Sequence, residues 1–185
     1  TGTYIDDSTP PDSLFAYFFR SQVAHAKIAN LNVEDAKKAA GVHGVFTAED
    51  LEKNGVKNDL VGVTVKNRDG TDGACPKRPL LAEKRVRFVG EPIVLVVADS
   101  IPNAKDAAEL IEIDYDDLPV SIDLAVCENT IHPEAPGNVA FEWGLGDKSK
   151  TDAVFKNADQ VVSMEVYNNR ISAHSLEPRG GYAQW

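Results

Sequence analysis

The hydrophobic pattern of the first 120 residues predicts a series of β-strands. The run LFAYFFRS at 14–21 is almost continuously apolar, which is typical of a strand covered on both faces. Most of the other segments alternate apolar and polar residues, and a period of two indicates a strand with one buried face. The segment at 93–98 is entirely apolar, so we expect it to be central and buried. The predicted strands lie at 14–21, 26–33, 42–46, within 78–91, at 93–98 and at 111–120.

Three helices are expected between these strands. The first, over 33–41, has acidic residues in its first turn and ends at a glycine. The second follows Thr47, a capping residue with Asp50 three positions later. The third follows Ser100 and carries a narrow apolar stripe that permits close packing on a sheet, formed by Ala104, Ala107, Ala108 and Ile111. With a strand on each side, this third helix predicts a βαβ-type unit, right-handed if its strands are parallel.

A long loop and then a second set of elements follow from the rest of the pattern. Residues 53–78 hold four glycines and many turn-forming residues, so we expect a loop that could include a short strand at 61–65. The pattern after residue 121 predicts a short helix, a connector with Pro and Gly, a strand near 141, a helix at 151–157, a strand at 161–167 and a strand entered at Gly181.

These elements predict an α+β protein with two parts. We expect a mixed sheet with packed helices at 1–121, a connector at 122–137, and the first elements of a second α+β domain at 138–185. The chain opens without Met and stops on Trp185 partway into a predicted strand. Because natural termini are usually polar and frayed, we expect both ends to be cut from a longer polypeptide.

Composition narrows the class of protein. A hydrophobic content of 43% and a charged content of 26% are ordinary for a globular chain of 185 residues. The net charge of -10 argues against a nucleic-acid or anionic-membrane surface, since both need a local excess of Lys and Arg. No apolar run approaches the roughly 20 residues of a transmembrane helix. Two cysteines without metal-finger spacing fit a reducing compartment, so we expect a cytoplasmic location.

The residues alone do not form a complete catalytic constellation. His25 and His43 lie in or beside strands and are expected to be packed or hydrogen-bonded structural histidines rather than ligands. His174 lies near Glu177 and Arg179, where a carboxylate could orient an imidazole, but no nucleophile accompanies them.

Three further features have an ordinary structural interpretation. The acidic run EIDYDD at 112–117 lacks the ligand spacing of a calcium loop, which favours a solvated strand face. Cys75 is interpreted as an ordinary loop cysteine, since only Lys77 and Arg78 are basic neighbours. The short glycine pair at 144–146 does not predict a phosphate site. We therefore assign no catalytic, cofactor-binding or metal-binding residue to this chain.

The order of several motifs carries a family resemblance. Along the chain come SLFAYFFRSQVAHAKI, AAGVHGVFTAEDL, RPLLAEKRVRFVGEPIVLVVADS and AAELIEIDYDDLPV, and later a stretch ending in HSLEPRGGYAQW. The first four resemble the N-terminal a/b hammerhead domain of the molybdenum-binding large subunit in the xanthine dehydrogenase, aldehyde oxidase and aerobic carbon monoxide dehydrogenase family. The last resembles the start of its molybdopterin-binding region.

The resemblance implies a function for the complete enzyme. Such enzymes use water to hydroxylate an aldehyde, an N-heterocycle or a related small molecule, on a molybdopterin cofactor. Electrons leave through iron–sulfur clusters and often FAD on partner domains or subunits. The resemblance makes this chain a scaffold and one wall of the substrate funnel, inactive alone, because the family's catalytic groups lie in the sequence that follows. Glu91 in FVGEP is similar to the family's catalytic glutamate motif, but its neighbours favour a turn before the buried strand instead.

The resemblance also implies a role for the loop at 53–78. In the family this segment reaches toward the substrate funnel. Independently, a long glycine-rich loop has a high conformational entropy, and apolar residues on it are explained by burial against a partner or a ligand. We therefore expect a loop that is mobile in this chain alone and ordered in the full enzyme, where Leu60, Val61 and Val63 shape substrate access. The alternative is a loop packed on its own domain. A second function stays open, in which the chain is a self-contained ligand-binding or enzymatic domain that uses His174, Glu177 and this loop.

Overall fold

The computed structural model describes residues 2–60, 62–122, 129–169 and 171–184. The chain divides into two compact units. The larger unit is Asp12–Trp143, and the smaller unit combines Thr1–Pro11 with Gly144–Trp185.

The strands of the larger unit form two antiparallel sheets of three strands each. The first sheet has the order β1-β5-β3 and the second the order β4-β2-β6. This arrangement of small sheets and helices confirms the α+β class. The strands are β1 (Phe15–Arg20), β2 (Ala26–Asn32), β3 (Val42–Phe46), β4 (Arg85–Val86), β5 (Pro92–Ala98) and β6 (Glu112–Asp117).

Short helices complete both units. None of them, within the described residues, is long and apolar enough to cross a membrane. The larger unit contains α2 (Glu34–Lys38), α3 (Ala48–Lys53), α4 (Ile101–Glu109) and a 3-10 turn at Pro136–Asn138, and the smaller unit contains α1 (Ile5–Ser8) and α5 (Lys148–Lys156).

Strand β5 is central, as its apolar sequence predicts. Val96 is paired with Tyr17 of β1 in one neighbouring strand and with Val45 of β3 in the other. Both faces of β5 contribute to the core, since Ile93 and Val94 are neighbours and are both fully buried. Helix α4 contacts β5 and β1, and its three alanines are buried. Small side chains let the helix backbone come close to the sheet, so the predicted alanine stripe is confirmed.

The predicted helix starts are confirmed in detail. The Thr47 hydroxyl accepts a hydrogen bond from the Asp50 amide at 3.4 Å, and the Asp50 carboxylate accepts one from the Thr47 amide at 2.8 Å. These backbone contacts hold the pKa of Asp50 below its ordinary value. At α4, the Ser100 hydroxyl accepts from the Asn103 amide. Each cap satisfies amide groups that have no partner within the helix.

Two expectations about strand environment are wrong. The βαβ-type unit does not form, because β5 and β6 lie in different sheets and every ladder between the named strands is antiparallel. Strand β1 is not covered on both faces in this chain. Its residues alternate between half-buried and exposed, so one face of β1 is left uncovered by the described residues.

Only part of the secondary structure predicted for the long loop and for the chain after residue 121 is found in the described residues. Helix α5 confirms a helix close to the predicted 151–157. The strands predicted near 141, at 161–167 and over 181–184 are not formed, and the described residues 62–65 contain no strand either. Residues 123–128, which hold most of the helix predicted after 121, lie outside the described residues, as do Val61 and Trp185.

Candidate functional site

The larger unit contains a pocket of about 510 Å³ beside the sheet of β1 and β5. Leu95 of β5 and Phe18 of β1 contribute to its wall, and Leu51 of α3 and Leu60 of the long loop contribute from another side. Most of the wall is apolar, and basic side chains stand among the apolar ones. The remaining lining residues are Arg20, Lys77, Arg78, Pro79, Leu80, Leu81, Arg87, Phe88, Glu91, Pro92 and His132.

Only one of the three predicted access residues is placed in this wall. Leu60 lines the pocket and keeps 49% of its surface exposed. Val63 is 86% exposed and is not among the lining residues. Val61 lies outside the described residues. The structure therefore separates Leu60 from Val63, although the sequence places them three positions apart.

A buried asparagine fixes the loop next to Leu60. The Asn58 side chain donates to the Leu81 carbonyl at 2.9 Å and accepts from the Leu81 amide at 3.0 Å. Both residues are almost fully buried, with 3% and 2% of their surfaces exposed. The Leu60 amide donates to the Arg78 carbonyl at 2.7 Å. These contacts set the position of Leu60 at the pocket wall.

The far part of the loop is hydrogen-bonded to the segment at 138–142. The Ala74 amide donates to the Ala140 carbonyl at 2.7 Å, and the Arg68 amide donates to the Glu142 carbonyl at 2.8 Å. A Cβ on Gly73 would come within 2.7 Å of the Ala140 carbonyl oxygen, so this close approach requires glycine. The contacts at both ends favour the alternative of a loop packed on its own unit.

Glu91 is a buried residue in the lining of the pocket. Its side chain is 3% exposed. The carboxylate accepts a hydrogen bond from the Arg87 amide and lies 3.6 Å from the Arg87 guanidinium. Burial raises the pKa of Glu91 above its ordinary value, although Arg87 partly opposes that shift. Its backbone carbonyl accepts from the Ser21 amide, which fixes the turn before β5.

The histidines of the larger unit have different environments. His25 is buried, and its Nδ1 lies 2.7 Å from the Pro119 carbonyl, so Nδ1–H is the donor. The expectation of a packed His25 is confirmed. His43 is exposed on β3, so it is not packed, and its structural role stays a prediction. His132 lines the pocket, where burial and the charge of Arg87 lower its pKa and favour the neutral ring.

The acidic run at 112–117 and Cys75 lie where the sequence predicts them, on a solvated strand and on a loop. On β6 the carboxylates of Glu112 and Asp114 are exposed and accept hydrogen bonds from Asn32 and Asn30 on β2. They form a solvated strand face, as predicted. Cys75 is an exposed, free thiol on the long loop.

His174 and Glu177 do not form a site within the smaller unit. The Glu177 carboxylate accepts a hydrogen bond from the Ile5 amide at 2.7 Å. His174 is exposed, and the described residues include no hydrogen bond between the two side chains. Glu177 therefore ties the segment near 177 to the start of α1.

No residue is assigned to a metal or cofactor. The described residues contain no group of three or more His, Cys, Asp or Glu side chains that could hold a metal ion. The described residues beyond α5 are almost all exposed and offer no enclosed cradle for a pterin. The present residues do not fit such a group on their own, and no chemical step is derived through one.

Comparison with known families identifies the chain. Residues 1–119 match the sequence model of the aldehyde oxidase and xanthine dehydrogenase a/b hammerhead domain, and residues 131–185 match that of the molybdopterin cofactor-binding domain. The chain belongs to the aldehyde oxidase and xanthine dehydrogenase family. This confirms the resemblance drawn from the motifs at 13–28, 39–51, 78–100 and 107–120 and from the final stretch that ends in HSLEPRGGYAQW.

Individual members of the family align over the whole chain. The carbon monoxide dehydrogenase large chain of Hydrogenophaga pseudoflava is 32% identical over 100% of this chain and 24% of its own length. The nicotine 6-hydroxylase large subunit of Paenarthrobacter nicotinovorans is 34% identical over 100% of this chain and 22% of its own length. The chain thus spans less than a quarter of these two relatives.

Solved structures of the family share the fold. The aldehyde oxidoreductase of Desulfovibrio gigas superposes with a TM-score of 0.66 at 31% identity, covering 85% of this chain and 18% of that one. A Cu,Mo-CO dehydrogenase superposes with a TM-score of 0.63 at 30% identity, covering 86% of this chain and 21% of that one.

The buried carboxyl of Glu91 predicts a pH dependence of stability. Folding raises the pKa of Glu91, so the protonated carboxyl contributes to the free energy of unfolding. That contribution is fully present below the unfolded-state pKa of 4.5 and is lost as pH rises through the folded-state pKa. The neutral variant Glu91→Gln lacks this titration. In denaturant titrations, we expect the stability of the parent relative to Glu91→Gln to fall as pH rises from 4.5 towards neutrality. A difference that stays constant with pH would contradict this assignment.

Proposed function

We propose that this chain forms the hammerhead part and the opening of the molybdopterin-binding part of a molybdenum hydroxylase large subunit. The complete enzyme would use water to hydroxylate an aldehyde, an N-heterocycle or a related small molecule. The chain would act as scaffold and as part of the substrate funnel, without catalytic residues of its own. The observation that carries the proposal is that the two family regions match in succession along one chain, at residues 1–119 and 131–185.

The proposal includes the domain limits and partners expected from the sequence. It assigns 1–121 to the hammerhead domain, 122–137 to a connector and 138–185 to the start of the molybdopterin-binding domain. The molybdopterin cofactor would be held by the rest of the subunit, with iron–sulfur clusters and FAD on partner domains or subunits. Two relatives are named as a large chain and a large subunit, which supports an assembly of several subunits. We propose a cytoplasmic location for it.

One genetic observation tests the assignment. The reading frame of this chain, or a neighbouring one, is expected to continue with a GGGFGG-like loop, which belongs to the family's molybdenum site. A reading frame that ends at Trp185, with no such loop encoded nearby, would remove the proposal and favour a self-contained domain.

We predict that the 185-residue chain alone holds no stoichiometric molybdenum. The reason is that the described residues provide no ligand cluster. The measurement is metal analysis of the chain purified from cells that load the complete subunit, which serves as the positive control. One molybdenum per chain would show that these residues hold the cofactor themselves.

The funnel role predicts a selective effect of Leu60 in the complete subunit. Leu60→Ala removes three carbons from the pocket wall, and a change of this size in an apolar pocket alters discrimination by roughly tenfold. We expect kcat/KM for a bulky substrate, relative to a small one, to change by about this factor. The matched control is Val63→Ala, since Val63 is exposed and lies outside the wall. Equal effects of the two variants would remove the funnel role.

A further inference from the structure

The pocket beside Leu60 concentrates positive charge in an acidic protein. The chain has a net charge of -10, yet four of the described lining residues are basic and one is acidic. The basic residues are Arg20, Lys77, Arg78 and Arg87. A cleft with charges of one sign and apolar walls focuses the electric field and raises the local concentration of the opposite charge.

Arg20 and Lys77 are exposed and keep their charge available at the rim of the pocket. The Arg20 guanidinium donates to the Gly90 carbonyl at 2.9 Å and lies 5.4 Å from the centre of the Phe18 ring. These contacts orient the guanidinium without neutralising it. In the part of the chain that the structure describes, the ammonium group of Lys77 has no ion-pair partner.

The acidic residue of the lining does not cancel this field. Glu91 is buried beneath the rim and is compensated by the Arg87 amide and guanidinium. Burial also raises the pKa of Glu91 above its ordinary value, which favours the neutral carboxyl. His132, the other titratable lining residue, adds no negative charge.

We propose that this pocket binds small organic carboxylates that have an apolar body. The apolar body would occupy the wall formed by Leu60, Phe18 and Leu95, and the carboxylate would meet the basic rim at Arg20 and Lys77. A volume of about 510 Å³ lies within the range of small-molecule sites, roughly 300–1,000 Å³. If the pocket lines the substrate route, which rests on the proposed function, the substrate class is an anionic one.

The apolar wall distinguishes this site from a simple anion site. An inorganic anion would use only the exposed rim, where ion pairs are weak and screened by salt. An aromatic carboxylate would also bury its ring against the leucines. Affinity should therefore require both the charge and the ring.

The binding experiment compares isosteric probes on the folded 185-residue chain, followed by fluorescence at low salt. We expect 2-naphthoate to bind about tenfold more tightly than neutral 2-naphthamide, and cationic 2-naphthylmethylammonium to bind least. Inorganic phosphate and acetate are expected to compete poorly. Equal binding of naphthoate and naphthamide, or phosphate binding as tight as naphthoate, would overturn the proposal.

Two charge-reversing variants test whether naphthoate binds in this pocket. Lys77→Glu and the control Lys156→Glu change the net charge equally, but Lys156 lies on α5 and is not among the lining residues. We expect Lys77→Glu to weaken naphthoate binding by about tenfold at low salt and to leave naphthamide unchanged. Lys156→Glu should leave both unchanged. Equal weakening by the two variants would show a general charge effect and refute the site.

The same variants in the complete subunit separate this inference from the proposed function. If the pocket is on the substrate route, Lys77→Glu raises KM for a carboxylate-bearing substrate and not for its neutral analogue. Naphthoate binding without any KM effect would support the site and count against the funnel role. A different result would support the funnel and refute this inference. In that case Leu60→Ala would change kcat/KM for neutral substrates, while neither binding nor KM would show a preference for carboxylates.

Discussion

Val94→Asp is expected to prevent folding of the larger unit. Val94 is fully buried in the central strand β5, with partner strands on both sides. An uncompensated buried charge costs about 3–5 kcal/mol, and the lost burial of a valine adds about 1.5–3 kcal/mol. Domains of this size are stable by only about 5–15 kcal/mol. Circular dichroism during thermal unfolding should show no cooperative transition.

The matched control is Val63→Asp. It makes the same substitution in the same unit at a residue that is 86% exposed. We expect its melting temperature to stay close to that of the parent, since surface changes usually alter stability by less than about 0.5 kcal/mol. A soluble Val94→Asp variant with an unchanged melting temperature would refute the central position of β5.

Asn58→Ala is expected to produce the second largest loss of stability. The substitution leaves the amide and the carbonyl of the buried Leu81 without their partner. Each unsatisfied buried group costs about 1–3 kcal/mol, so we expect a loss of about 2–4 kcal/mol in denaturant titrations. Hydrogen exchange should also show that the amides of Leu60 and Leu81 lose protection, because the loop is no longer held there.

Asn30→Ala provides the control for this prediction. Asn30 is exposed and donates one hydrogen bond to Asp114 across the strands β2 and β6. Water can replace that bond, so the expected loss is below about 1 kcal/mol. If Asn58→Ala costs no more than Asn30→Ala, the asparagine does not hold the loop. Strong exchange protection at 58–60 in the Asn58 variant would lead to the same conclusion.

The secondary structure was predictable where a local signal was strong. The unbroken apolar run predicted β5, and the capping pairs at Thr47 and Ser100 predicted the starts of α3 and α4. Strand pairing was not predictable in the same way. Periodicity shows which side of a strand is apolar, but it does not show which strand lies beside it. Periodicity alone therefore predicts one βαβ unit from β5, α4 and β6, although β5 and β6 lie in different sheets.

The pocket was predictable only in part. Leu60 stood out as an apolar residue in a polar, glycine-rich loop, and the pocket wall contains it. Asn58 gave no such signal, because its role depends on Leu81. The motif around Glu91 predicted the turn before β5 but not the contact of the carboxylate with Arg87. The basic rim was also missed. Its residues are spread from Arg20 to Arg87, and only folding brings them to one opening.

The strand pairing has a consequence for the newly made chain. About 70 residues separate the end of β1 from the start of its partner β5. At a synthesis rate of about 5–20 residues per second, the ribosome needs roughly 4–14 s to supply that partner. During this interval the aromatic segment FAYFFR has no strand to pair with and is exposed to other chains. During synthesis, the contacts of the finished fold therefore cannot protect this segment from association with other chains.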